Sequence, residues 1–142
     1  MSHITEVTQV QITDAEAFVL ACQELGFNRI VRNATVRAHD GRTIQVEVGV
    51  QAGNYGVGLV RDKDGKLHLM GDFQCFGWHL SKEMQAELGV NAKKSYATDK
   101  EIADCLTRFT TKHAIIRKAK QKGYSAKVTK VNGKVQIELS HG

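Results

Sequence analysis

Residues Thr43–Met70 read TIQVEVGVQAGNYGVGLVRDKDGKLHLM, and this stretch decides the architecture. Ile44, Val46, Val48 and Val50 alternate with Gln45 and Glu47, the period-two pattern of a strand with one face buried. Gly53–Val60 reads as a second strand. The turn RDKDG, Arg61–Gly65, leads into a third over Lys66–Met70. Upstream, Ile30–Ala38 is predicted to be extended and to reach Thr43 through His39–Arg42, HDGR. Asp-Gly between two extended runs is a strong hairpin signal, because both residues tolerate positive φ.

Two ligand-like patterns sit inside this stretch. Gly53, Gly56 and Gly58 resemble a phosphate-binding loop, but no helix start follows to aim its N-terminus at the phosphate. Asp62 and Asp64-Gly65 resemble part of a calcium loop, but the terminal Glu is missing at the required spacing. Both read as strand and turn.

Working outward, Ile4–Ile12 is predicted as a strand with Thr8, Val10 and Ile12 on one face. Thr13 followed by Glu16 is a capping-box pattern, opening a helix whose stripe is Ala15, Phe18, Val19, Cys22 and Leu25 and whose stop is Gly26. Cys22 on that stripe reads as a small buried hydrophobe. Downstream, GDFQCFGWHL (Gly71–Leu80) holds three of the nine aromatics and leads into a short helix, Ser81–Leu88, ended by Gly89. Phe73, Phe76 and Trp78 are expected to pack between the sheet and this helix, with part of Trp78 exposed at an interface. Thr98 and Glu101 form a second capping box, from which a helix of about six turns runs toward Gly123. Ile102, Cys105, Leu106, Phe109, His113 and Ile116 make its buried stripe, and His113 reads as a hydrogen-bonded core or boundary residue rather than a ligand. Asn132-Gly133 joins two last alternating runs as a hairpin. The expectation is one α+β domain over residues 1–142: a mostly antiparallel sheet of six to seven strands, with two main helices packed on one face.

Composition narrows the function classes. The 142 residues are 42% hydrophobic and 25% charged with no proline, ordinary for a globular domain and unlike a disordered linker. No apolar run reaches the roughly 18 residues that a membrane span needs. The N-terminus lacks the basic and apolar regions of a signal peptide, so a cytoplasmic (or plastid stromal) setting is expected. Three widely spaced cysteines, Cys22, Cys75 and Cys105, do not form a disulfide framework. Net charge is +5, and its distribution is uneven. Between Cys105 and Ile137 lie nine basic residues and no acid, whereas the remainder has eleven basic residues against fifteen acids. A basic surface of this kind suits an acidic partner, protein or nucleic acid.

On the last long helix, Arg108, Lys112, Lys118 and Lys122 fall on the face opposite the buried stripe, with Ile115 among them. An apolar anchor ringed by cations fits an acidic protein with an apolar spot, and Trp78 is the second anchor candidate. Nucleic-acid binding through the same cluster is the alternative, although the strands lack the aromatic and basic interleaving of an RNA-reading sheet. A cysteine-dependent enzyme built on Asp72, Cys75 and His79 is the third reading, with no local signature behind it. Cys75 and His79 lack the further ligands of a zinc site, so no metal, cofactor or catalytic residue is expected.

The order of features resembles a small family of cyanobacteria, plastids and other bacteria, called hypothetical chloroplast reading frame thirty-five and classed as a domain of unknown function. Met1-Ser2-His3, Leu25-Gly26-Phe27, the Asn54–Leu59 strand, Asp64-Gly65, Asp72 and Lys122-Gly123-Tyr124 carry the resemblance, which spans nearly the whole chain. The segment after Asp72 and the ending Ser140-His141-Gly142 depart from the plastid members, which have a tryptophan-rich segment and an aromatic end. The family has no assigned active site. Its members are often encoded beside an ATPase of the AAA+ class, so the resemblance implies an accessory subunit and makes such an ATPase the candidate acidic partner.

Overall fold

The computed structural model describes residues 5–131 and 134–141; the side chains of 5–11, 131 and 134 fall outside that description. The start of the first strand, the faces of Thr8 and Val10, and the Asn132-Gly133 turn therefore lie outside the described residues. In chain order the elements are β1 (Thr5–Ile12), α1 (Ala15–Glu24), β2 (Ile30–Arg37), β3 (Thr43–Ala52), β4 (Tyr55–Arg61) and β5 (Leu67–Gly71). There follow α2 (Phe73–Phe76), a 3-10 turn (Gly77–His79), α3 (Lys82–Leu88), α4 (Asp99–Gln121), β6 (Tyr124–Val131) and β7 (Lys134–His141).

The fold is α+β, but the seven strands among the described residues do not share one sheet, as six to seven were expected to. Five make an antiparallel sheet in the order β1-β5-β4-β3-β2, and β6 and β7 form a separate hairpin. The reason lies in α4. Its 23 residues carry the chain about 34 Å, and the hairpin begins three residues later and lies back along the helix instead of reaching a sheet edge. β2 to β5 follow one another through short turns, the tightest being Gly53-Asn54 between paired Ala52 and Tyr55. β1 closes the opposite edge on β5, so α1 crosses from one side of the sheet to the other.

The helix starts show which local signals win. Thr98 and Glu101 do exchange hydrogen bonds as a capping box, Glu101 N to Thr98 Oγ1 at 3.2 Å and Thr98 N to Glu101 Oε1 at 3.0 Å. At α1 the cap is Asp14, one residue after the expected Thr13; its carboxylate accepts from Ala17 N at 3.0 Å. Glu16 is thereby released and forms a bidentate pair with Arg32 on β2 at 2.6 and 3.1 Å. Asp14 takes the role because its second oxygen also holds Arg117 of α4 at 2.9 Å, so one residue both caps α1 and links the two helices.

Phe18, Cys22, Leu25, Ile102, Cys105 and Leu106 from the two main helices join Val48, Val50, Val57, Leu59 and Leu69 of the sheet in one core. Phe73 and Phe76 fill its end and are fully buried. The uniform alternation expected of β3 breaks here. Val46 is buried, but on the face opposite Val48 and Val50, where a Cβ on Gly49 would meet its Cγ2 at 2.9 Å and one on Gly58 its Cγ1 at 2.8 Å. The pairing of β3 with β4 stops at Val48–Leu59, and β2 opposite this point has Asn33 at φ 48°. From that corner the outer half of the β2–β3 hairpin folds back over the sheet. Val36 comes to rest on Gly56, 2.7 Å from the site of a Cβ there. Arg61 pins the corner with two hydrogen bonds to Glu47 at 2.7 and 2.8 Å. Gly49, Gly56 and Gly58 thus form a flat surface that accepts Val36 and Val46. This is the structural role of Gly56 and Gly58, two of the three glycines that resembled a phosphate loop; the third, Gly53, lies in the β3–β4 turn.

Candidate functional site

The fold-back brings the hairpin turn to the far end of the sheet. His39 N donates to Asp72 Oδ2 at 3.0 Å, and Cys75 N donates to Asp72 Oδ1 at 3.1 Å, so this fully buried carboxylate both caps α2 and clasps the hairpin. Above it, His39 and Tyr55 pack edge-on to Trp78 with ring centroids 5.8 and 6.4 Å away. His79 lies 6.2 Å from Tyr55 and against Gly53. Trp78 is 59% exposed. Phe73 and Phe76 therefore form the expected plug, while Trp78 stands outside it.

Asp72 and Cys75 are enclosed in the core, whereas His79 faces solvent, so the three do not meet at one accessible surface. All three cysteines are buried thiols. Burial raises the thiol pKa of Cys22 and pushes that of Cys105 up to about 11. Among the described residues, no group of three or more His, Cys, Asp or Glu is placed to hold a metal ion. No helix among them is long and apolar enough to cross a membrane.

The basic helix face borders an open groove of about 680 Å³ between α4 and the β6–β7 hairpin. Register explains its floor. Val128 pairs with Ile137 and Lys130 with Val135, so one face of the hairpin is largely apolar and turns toward α4 without closing on it. Ile115 is 43% exposed in this groove, and Val128 and Val135 are comparably open. Phe109 contributes the floor on the helix side. Arg108, Lys112 and Lys130 supply the cations of the rim.

Two of those cations hold carboxylates from elsewhere in the chain. Lys112 Nζ contacts both oxygens of Glu24 at 2.6 and 2.7 Å and sits 4.5 Å above the Phe109 ring, leaving its side chain 13% exposed. His113 shares Glu24 at 2.6 Å and is partly exposed, so of the two roles read from the sequence, core or boundary, it takes the second. Lys130 Nζ contacts Glu87 of α3 at 3.1 Å. Glu24 has a lowered pKa: its hydrogen bonds from Lys112 and His113 outweigh the opposing effect of partial burial.

The candidate residues are thus distributed over four places. Arg108, Lys112 and Ile115 line the groove. Lys118 lines a shallower hollow of about 570 Å³ on the other side of Ile115, beside Asp14 and Arg117, and Lys122 caps the helix end. Trp78 is elsewhere: Gly77 packs on Ile102, some 13 residues or about 20 Å along α4 from Ile115. Sequence reasoning missed Glu24 and Glu87, which come from other helices. It also missed the hairpin wall, although Val128, Val135 and Ile137 carry a period-two signal. Compared with known proteins, the chain is matched by no protein-family model, no curated protein and no solved structure.

Proposed function

We propose that this protein is a non-catalytic adaptor that binds an acidic protein partner through the groove between α4 and the β6–β7 hairpin. The observation carrying this reading is an apolar floor left open in a basic rim: Ile115, Val128 and Val135 are exposed between Arg108, Lys112 and Lys130. An open apolar strip of this kind marks an interaction site, and charge at its edge selects the partner. The resemblance to the reading-frame-thirty-five family makes an AAA+ ATPase the first candidate, with the exposed Trp78 as a second, separate contact.

The test is affinity capture from native lysate with nuclease present, using wild type and an Arg108→Glu/Ile115→Asp variant in parallel. A stoichiometric protein retained by the wild type and lost by the variant is the expected result. Equal retention by both removes the groove from the function. Nucleic-acid binding through the same acid-free window is the second reading; it predicts recovery that collapses with nuclease and falls steeply with salt.

A further inference from the structure

We infer that Glu24 and Glu87 are built-in placeholders for the carboxylates of the groove's ligand, so that an acidic amphipathic protein segment binds by exchanging with them. This deepens the adaptor reading and rests on it. The groove rim carries three cations and these two acids. The acids lie on α1 and α3, outside the elements that form the groove walls, and each ends on a rim cation: Glu24 on Lys112 and Glu87 on Lys130. The rim therefore already shows a carboxylate at two of its cations, spaced on either side of an apolar floor. A ligand matching that pattern has apolar side chains centred on Ile115 and Val128 and acidic side chains at its flanks.

The two placeholders differ in how readily they yield. Glu24 is held by Lys112 and His113 together, and Lys112 is fixed over Phe109. Glu87 has one contact with a lysine on the hairpin, whose side chain is 58% exposed. Exchange at Lys130 therefore comes first. It also frees the hairpin from α3, which gives the bound segment room between the two walls. An exposed ion pair of this kind has a strength of a few tenths to one kcal/mol, so removing the internal competitor strengthens an anionic ligand roughly two- to fivefold per site.

The test uses two dyes on the whole protein. Anilinonaphthalene sulfonate is an apolar ring system with one anionic group, and N-phenylnaphthylamine is its uncharged counterpart. Both are titrated by fluorescence into wild type, Glu87→Gln, Glu24→Gln, Ile115→Asp and, as a control outside the groove, Glu16→Gln. The expected result is sulfonate affinity raised two- to fivefold in Glu87→Gln, with the uncharged dye and the Glu16→Gln protein unchanged and both dyes lost in Ile115→Asp. Should Glu24→Gln loosen the contact of α1 with α4, seen as a fall in Tm, Glu87→Gln alone decides. Sulfonate affinity unchanged or weaker in Glu87→Gln, with the uncharged dye still sensitive to Ile115, overturns the placeholders and leaves the groove standing. Dye binding indifferent to Ile115→Asp overturns the groove reading and the placeholders with it.

Discussion

A double-mutant cycle at Gly49 and Val46 tests the hairpin fold-back directly. A methyl group on Gly49 would lie 2.9 Å from Val46 Cγ2, 3.2 Å from Val36 Cγ1 and 3.2 Å from the Val57 carbonyl oxygen. Overpacking of this degree costs roughly 1–3 kcal/mol, so Gly49→Ala should destabilise by about 2 kcal/mol. Val46→Ala removes two methyl groups from a side chain that is 1% exposed, which also costs about 2 kcal/mol once the cavity is counted. In the double variant the new methyl occupies the space the valine vacates. The pair should then cost about 2 kcal/mol rather than the additive 4, a coupling of about 2 kcal/mol. Urea unfolding of the four proteins measures it, and each kcal/mol should move Tm by roughly 2–4 °C. In a strand that runs straight, residues three apart point to opposite faces and cannot couple. Additivity within about 0.5 kcal/mol would therefore refute the corner at Asn33 and the glycine-lined second layer.

Asp72→Ala should destabilise by about 2 kcal/mol, because it strands the buried N–H of Cys75 and releases the partly buried N–H of His39, while Asp72→Asn, which keeps one acceptor, should cost less; equal effects in thermal melts would contradict the clasp. Glu101 has its pKa drawn down to about 2, first by the hydrogen bond from Lys94 and next by Thr98 N–H. Its stabilising contribution is thus present above the ordinary carboxylate pKa near 4.5 and lost as pH falls from there toward 2; Lys94→Gln should flatten the stability profile in that window, and an unaltered profile would dismiss the pair. Iodoacetamide should label no cysteine rapidly in the native protein and all three after unfolding, and fast native labelling of Cys75 would reopen thiol chemistry. Trp78→Ala should leave Tm within about 2 °C, since the ring buries little; a large fall would mean that it supports the core.

The features legible in the sequence are those set by neighbours along the chain. The strands from Ile30 to Gly71, the left-handed stops at Gly26 and Gly89 and the Thr98–Glu101 box are all local, and all are present. The mistakes arise where a distant residue decides. Thr13 is a good cap until Arg117, over a hundred residues later, favours Asp14. Val46 obeys the period of its strand until the corner puts it over Gly49 and Gly58. The β6–β7 alternation gives the strands and their apolar face but cannot name α4 as the neighbour. In the candidate site the cations and Ile115 were readable as one helix face. Their division among two hollows and the helix end, and the acids of α1 and α3 that reach the groove rim, depend on packing alone.

The position of β1 has a consequence for how the chain acquires its structure during synthesis. Thr5 pairs with Gly71 and Ile12 with Leu67, so β1 leaves the ribosome about 55 to 66 residues ahead of the partners it pairs with. β2 to β5 can assemble in order as they appear, each on the one before. Through that interval α1 can pack on β3 but has no α4, so the part of its apolar stripe that faces α4 stays uncovered. The sheet thus grows from its β2 edge across to β5, and β1 closes the opposite edge last.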